Sequence, residues 1–189
     1  MREEQRVHPA SLGAGAAPVS TPRESWTRGA IPHLYQIDAA WAELPYGGET
    51  VRQNGCGPTT LTMVYVGLTG RTDLDPGSMA EFADAGNYAP TGATEWAFMT
   101  KGAAQLGLQS CAIPVTRAAV TRALEQGSPV ICSVEPGDFT SVGHYIVLAG
   151  IDDRGMVEVR DPNSALNSTR RWGIQRLIEQ TANCWAFWV

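Results

Sequence analysis

Gly55-Cys56-Gly57-Pro58-Thr59-Thr60, running on into Leu61-Thr62-Met63-Val64-Tyr65-Val66-Gly67-Leu68, is the stretch that decides the fold. Pro58 suits the first turn of a helix, where its missing N–H leaves no bond unmade. Leu61, Val64, Tyr65 and Leu68 recur at three-and-four spacing, which predicts a helix with one buried stripe, and Gly70 closes it as a C-cap. Cys56 therefore falls at a helix N-terminus, where backbone N–H groups and the helix dipole favour a thiolate. Such a sulfur becomes a nucleophile when a base takes its proton and a third group orients the base.

The chain holds three histidines, His8, His33 and His144. His8 lies in a segment rich in Ala, Gly, Pro and Ser, and His33 in a Pro-flanked segment ahead of the core, so elimination leaves His144 as the base. Gly143 before it allows a ligand backbone to come close, and Tyr145 to Ala149 reads as a strand that would hold the ring. Asp161, in Asp161-Pro162-Asn163-Ser164, is the candidate orienter. A hairpin turn at Asp152-Asp153-Arg154-Gly155 joins the two strands. With a two-residue loop at Asp153-Arg154, Ile146 lies opposite Asp161 and His144 opposite Asn163. His144 and Asp161 are then diagonal neighbours on one face, about 7–8 Å apart between Cα atoms. A three-residue loop would put them on opposite faces unless a bulge restored the parity.

Around this set the chain reads as helices followed by an antiparallel sheet, an α+β order. Residues 1–29 show no period and little to bury, which predicts a flexible leader before a domain spanning 30–189. Further helices are expected over Ser78–Ala83, from Thr94 as N-cap to Leu106, and from Thr116 to Gly127. Strands are expected at Val130–Val134, Gly143–Ile151, Met156–Arg160 and Cys184–Val189, with a helical stretch at Ile174–Glu179 before the last.

With 189 residues, 43% of them hydrophobic, the chain can bury one real core. A formal net charge of -5 with scattered Lys and Arg argues against nucleic acid as a partner. No apolar run is long enough for a membrane segment. The start at Met1 lacks the apolar centre of a secretory signal, so the compartment is cytoplasmic if Met1 is the native start, and outside if an export signal was removed. Cys56, Cys111, Cys132 and Cys184 are widely and irregularly spaced, which argues against a zinc site; no metal and no organic cofactor is expected. Cys111, Cys132 and Cys184 sit in apolar strand-like runs and read as buried free thiols, with a Cys111–Cys132 disulfide open if the chain works outside the cell. The spacing does not speak to oligomeric state.

Amide hydrolysis also needs donors for the oxyanion of the tetrahedral intermediate. The N–H of Cys56 is one; Gln36, Gln53 and Asn54 are side-chain candidates for the second. Tyr88, Trp96 and Phe139 are candidate walls of a peptide groove, with Gly143 beside them, since aromatic side chains often anchor peptide ligands. Three functions fit these residues: a hydrolase acting on a peptide or protein, a transferase passing the acyl group to an amine or thiol, and a peptide-binding module without turnover.

The pattern resembles the papain-like cysteine peptidases of the bacteriocin-processing, double-glycine kind (family thirty-nine in peptidase classification) and their stand-alone bacterial relatives. The resemblance is carried by Ile31-Pro32-His33-Leu34-Tyr35-Gln36 with Asp38, Trp41 and Pro45-Tyr46-Gly47, by Gly55-Cys56-Gly57-Pro58-Thr59, by Gly143-His144-Tyr145-Ile146-Val147-Leu148, and by Asp161-Pro162-Asn163-Ser164. It implies a papain-like fold, with a helical half carrying Cys56 against an antiparallel half carrying His144 and Asp161. It implies Cys56 as nucleophile, His144 as base and later acid, and Asp161 as orienter. In the bacteriocin exporters a glutamine six residues before the cysteine supports the oxyanion; Thr50 occupies that position here. The stand-alone relatives carry Tyr-Gln further upstream, matching Tyr35-Gln36, which favours Gln36 with Gln53 as the alternative.

Overall fold

The computed structural model describes residues 18–189. Pro45–Tyr46 (β1) and Glu49–Thr50 (β2) make a small hairpin ahead of helices Val51–Asn54 (α1), Cys56–Thr69 (α2) and Pro76–Ala85 (α3). A 3-10 turn at Trp96–Met99 leads into Lys101–Gln105 (α4). Gln109–Ile113 (β3), Arg117–Glu125 (α5), Val130–Val134 (β4), His144–Ile151 (β5) and Met156–Arg160 (β6) follow. Ala165–Thr169 (α6), Arg171–Gly173 (β7), Ile174–Ile178 (α7) and Thr181–Trp188 (β8) complete the chain. The six-stranded sheet has the order β3-β8-β4-β5-β6-β7 and is antiparallel throughout.

Successive strand residues face opposite ways, and both faces of this sheet are covered. Ile131, Val147, Trp185 and Phe187 meet Leu61, Met63 and Val64 of α2 and Met79 of α3. Cys132, Ile146, Leu148, Val159 and Cys184 meet Val120 and Leu124 of α5 and Leu177 of α7. Helix α2 differs from the single-stripe expectation. Every residue from Cys56 to Gly67 is buried, because sheet, α3 and the segment before β1 enclose it. Two of its buried threonines are satisfied locally, Thr60 Oγ1 donating to Gly57 O (2.8 Å) and Thr62 Oγ1 to Pro58 O (2.9 Å), while the buried Thr59 Oγ1 has no partner. Gly70 ends the helix as expected, its N–H donating to Val66 O.

The β5–β6 hairpin is not closed by the two-residue loop. Asp152 N–H donates to Met156 O, leaving Asp153, Arg154 and Gly155 in the loop, with Gly155 in the left-handed region at φ 75°. Asp152 Oδ1 accepts from the N–H groups of Arg154 and Met156, both at 2.9 Å. The three-residue loop shifts parity by one, and a bulge at Ala149 shifts it back. The register runs Ile151↔Val157 and Gly150↔Glu158, then Leu148↔Val159 and Val147↔Arg160. Carried one step on, it sets Ile146 opposite Asp161, as the simpler loop had required.

Two further expectations are corrected. Of the expected leader, residues 1–17 lie outside the described residues, while residues 18–29 are packed on the domain. Trp26 is buried and donates Nε1–H to Thr21 O; Ser20 N–H donates to Asp38 Oδ2; Gly29 N–H donates to Gly67 O. The Thr94–Leu106 helix is instead the 3-10 turn and short α4, because Thr94 is held by long-range partners and does not cap a helix.

Candidate active site

Cys56 is the first residue of α2, and its position follows from a break in the helix. Pro58 has no N–H, and in a continuous helix its ring would strike the carbonyl of Asn54. The helical bonds accordingly stop at Gly55 N–H to Val51 O and resume at Thr59 N–H to Gly55 O. The N–H groups of Cys56 and Gly57 precede the first bond of α2 and have no intrahelical partner. Arg52 O, which a continuous helix would give to Cys56 N–H, accepts from Gln36 Nε2 at 2.8 Å.

His144 opens β5 and is buried. Its Nε2 and Asp161 Oδ1 are 2.8 Å apart, and its Nδ1, also buried, has no partner. Asp161 is 1% exposed and tightly held. Oδ1 also accepts from Asn163 N–H, Oδ2 accepts from Asn167 Nδ2, and the Asp161 N–H donates to Ser168 Oγ. Burial works against a charged His144, but the charge and hydrogen bond of Asp161, with a smaller contribution from Cys56, raise its pKa from 6.5 to about 10. The structure joins His144 to Asp161 and packs α2, which starts at Cys56, against β5, which starts at His144.

A second layer was not legible in the sequence. Thr94 Oγ1 and Tyr46 OH are 2.7 Å apart, and Tyr145 OH donates to Thr94 O at 2.9 Å. Burial first, and then the charge of Cys56 among other groups, push both tyrosines above their usual range. Thr94 also fills the space beside Gly57: a Cβ there would stand 2.4 Å from Thr94 Oγ1. Only glycine lets this wall close on the start of α2. Aromatic residues within an apolar strand and a turn gave no sign of that role.

The remaining candidates separate. Gln36 is fully buried under α1; besides Arg52 O its Nε2 lies 3.5 Å from Val51 O, and its Oε1 has no partner. Gln53 is turned to the surface, between Thr50 Oγ1 and Glu49 Oε2. Asn54 Nδ2 donates to Gly47 O. Trp96, 51% exposed, stands edge-on to Trp185 with ring centroids 5.8 Å apart. Tyr88 is buried against Phe98. Phe139 is buried as well, 4.5 Å from Trp172 in the core beneath the other sheet face, so its ring does not line a groove with Trp96. Gly143 is half-buried directly before His144, its carbonyl accepting from Thr140 Oγ1. His33 lies beside Arg160; burial and then the Arg160 charge hold its pKa below the usual value. A cleft of about 710 Å³ lined by Arg117, Leu124, Asp152 and Arg154 lies at the hairpin end of β5, the end away from His144. Among the described residues no group of three or more His, Cys, Asp or Glu could hold a metal ion, and no helix is long and apolar enough to cross a membrane.

The family model described as the Peptidase_C39 like family matches residues 29–187, so the chain belongs to that family. Among solved structures it is similar to the peptidase domain of Streptococcus ComA, described as a bi-functional ABC transporter involved in a quorum sensing pathway. That match has a TM-score of 0.53 at 18% identity and covers 71% of this chain and 90% of that one. The likeness establishes the fold: the mixed helical and antiparallel, papain-like architecture of these peptidase domains. A search of the curated proteins finds no match.

Proposed function

We propose that this chain is a cysteine peptidase or amidase that cleaves a peptide or protein substrate at Cys56. The observation that carries the proposal is the state of His144. Its Nε2 is taken by Asp161, while the buried Nδ1 has no partner, and Cys56 adds to the raising of the ring's pKa. A ring held so can take the Cys56 proton at Nδ1 and, once charged, keep the thiolate company.

In the proposed reaction the thiolate attacks the substrate carbonyl carbon. The oxyanion is met by Cys56 N–H and by the Gln36 amide, one hydrogen of which is anchored on Arg52 O. His144 passes its proton to the leaving amine, and the amine departs. Water, deprotonated by His144, then attacks the acyl-thioester and releases the acid, returning the sulfur to the thiolate. Asp161 keeps the ring in the tautomer and orientation this needs. Trp96 and the Gly143 backbone form the substrate wall in this reading.

The test compares two thiols in one molecule. Cys111 is exposed and Cys56 is buried, so passive access favours Cys111. With iodoacetamide near pH 7, Cys56 is expected to alkylate at least about tenfold faster than Cys111, and Cys56→Ala to abolish cleavage of a peptide library. Equal or faster labelling of Cys111 overturns the proposal. Peptide binding without cleavage by the wild-type chain points to a binding module, and amine-dependent products point to an acyl transferase.

A further inference from the structure

Two cysteines that the site does not use lie directly opposite one another in the sheet, Cys132 on β4 and Cys184 on β8. Phe187 N–H donates to Pro129 O at 3.0 Å, which makes Pro129 and Phe187 a hydrogen-bonded pair. Hydrogen-bonded and non-hydrogen-bonded pairs alternate along an antiparallel ladder. Val130–Ala186 is then non-hydrogen-bonded, Ile131–Trp185 hydrogen-bonded, and Cys132–Cys184 non-hydrogen-bonded. Cα atoms in such a pair stand about 4.5 Å apart with side chains close together, inside the range of about 4.4–6.8 Å that a disulfide spans.

Both residues are buried on the same sheet face, and both are free thiols. The neighbouring Cys184, and then burial, push the Cys132 thiol up. Cys184 Sγ–H also reaches Ile113 O at 3.6 Å. The Cys111–Cys132 disulfide left open by the sequence is excluded by topology. Cys111 pairs with Ala186 on the exposed edge strand β3, and β8 runs between β3 and β4.

We propose that Cys132 and Cys184 are a disulfide-forming pair that staples the last strand, β8, to the centre of the sheet when the chain folds under oxidising conditions. The oxidant is a small disulfide such as oxidised glutathione. One cysteine, as thiolate, attacks it and expels one small thiolate, leaving a mixed disulfide. The second cysteine loses its proton, attacks the protein sulfur of that mixed disulfide and expels the other small thiolate. Two protein thiols are oxidised, one small disulfide is reduced to two thiols, and no other reactant is consumed. Because the site is dry in the folded chain, exchange belongs to the stage before β8 docks. Cys132 lies opposite Ile146, two residues along β5 from His144, but takes no part in the peptidase chemistry, and the proposal stands without it.

The test is refolding of the full chain in a mixture of reduced and oxidised glutathione, followed by alkylation, trypsin and mass spectrometry. The expected product links the peptide Ala123–Arg154 to Leu177–Val189, two hydrogens lighter than their sum. The thermal midpoint of the oxidised chain is expected to exceed that of the reduced chain by ~5–15 °C and to fall back on reduction. The Cys132→Ala chain should show neither the link nor the difference. Recovery of both cysteines fully alkylated from oxidatively refolded protein, or a link through Cys111 in their place, overturns the proposal. So does a link that leaves the midpoint unchanged or lower.

Discussion

At Asp161 one buried carboxylate is divided between two tasks: Oδ1 faces His144, while Oδ2 is tied down by Asn167. The charge it supplies is what keeps a buried imidazole protonated, with a pKa near 10 against the ordinary 6.5. The native pKa is the higher one, so folding binds this proton. The stabilisation is complete below about pH 6.5 and is lost as pH rises through about 10. Thermal midpoints measured from pH 6 to pH 10 should therefore decline in the wild-type chain and decline less in Asp161→Asn. In that variant burial dominates and His144 should titrate below 6.5 by NMR, and turnover should fall by roughly 10²-fold or more. An unchanged His144 titration would show that Asp161 does not set its charge. At this scale Cys56, His144 and Asp161 were legible, because a helix-start proline, a strand-start histidine and an Asp-Pro turn leave local marks. Thr94, Tyr46 and Tyr145 were not, because their bonds to one another join residues far apart in the chain.

At the scale of elements, the hairpin positions the site. The loop of three residues and the bulge at Ala149 cancel, and the cancellation puts His144 and Asp161 on one face. Deleting Ala149 should turn the bulge into a regular ladder, with Gly150 still opposite Glu158 and Leu148 still opposite Val159. Ile146 and Leu148 would keep their face and their core, and the His144–Asp161 bond would be kept. A chain without Ala149 is expected to keep a cooperative thermal transition, as is Gly155→Ala, which strains only the turn and should cost about 1–2 kcal/mol. Loss of the transition, or of the raised His144 titration, in the deletion variant would show that Ala149 does more than fill the bulge. The sequence announced the turn and both strands, but not the bulge, since Ala149 resembles its neighbours. It also announced helix after helix in the right places except from Thr94 onward, where tertiary bonds to two tyrosines replaced capping.

At the scale of the molecule, residues 18–29 act as a strap across the helical half. Trp26 is 7% exposed, Arg23 pairs with Asp75 at the start of α3, and Gly29 is bonded to Gly67 of α2. Trp26→Ala is expected to cost about 3 kcal/mol, lowering the thermal midpoint by ~6–12 °C. Calorimetry showing no change would mean that the strap adds nothing to stability. Lacking periodicity, the strap reads in the sequence as a leader; its single tryptophan was the only mark of burial.

The sequence by itself determined the α+β class, the family, the helix start at Cys56 and the strands that flank His144 and Asp161. Each of these rests on interactions between neighbours in the chain: a proline that fits only a first turn, alternation along a strand, a side chain bonding to a nearby backbone N–H. Only the tertiary structure decided the strand order, the pairing of Cys132 with Cys184, the wall of Thr94 and two tyrosines, and the seating of Gln36 on Arg52 O. Those contacts close long loops, and their energy comes from packing and burial that any residue of suitable size and polarity can supply, so no local pattern marks them in advance.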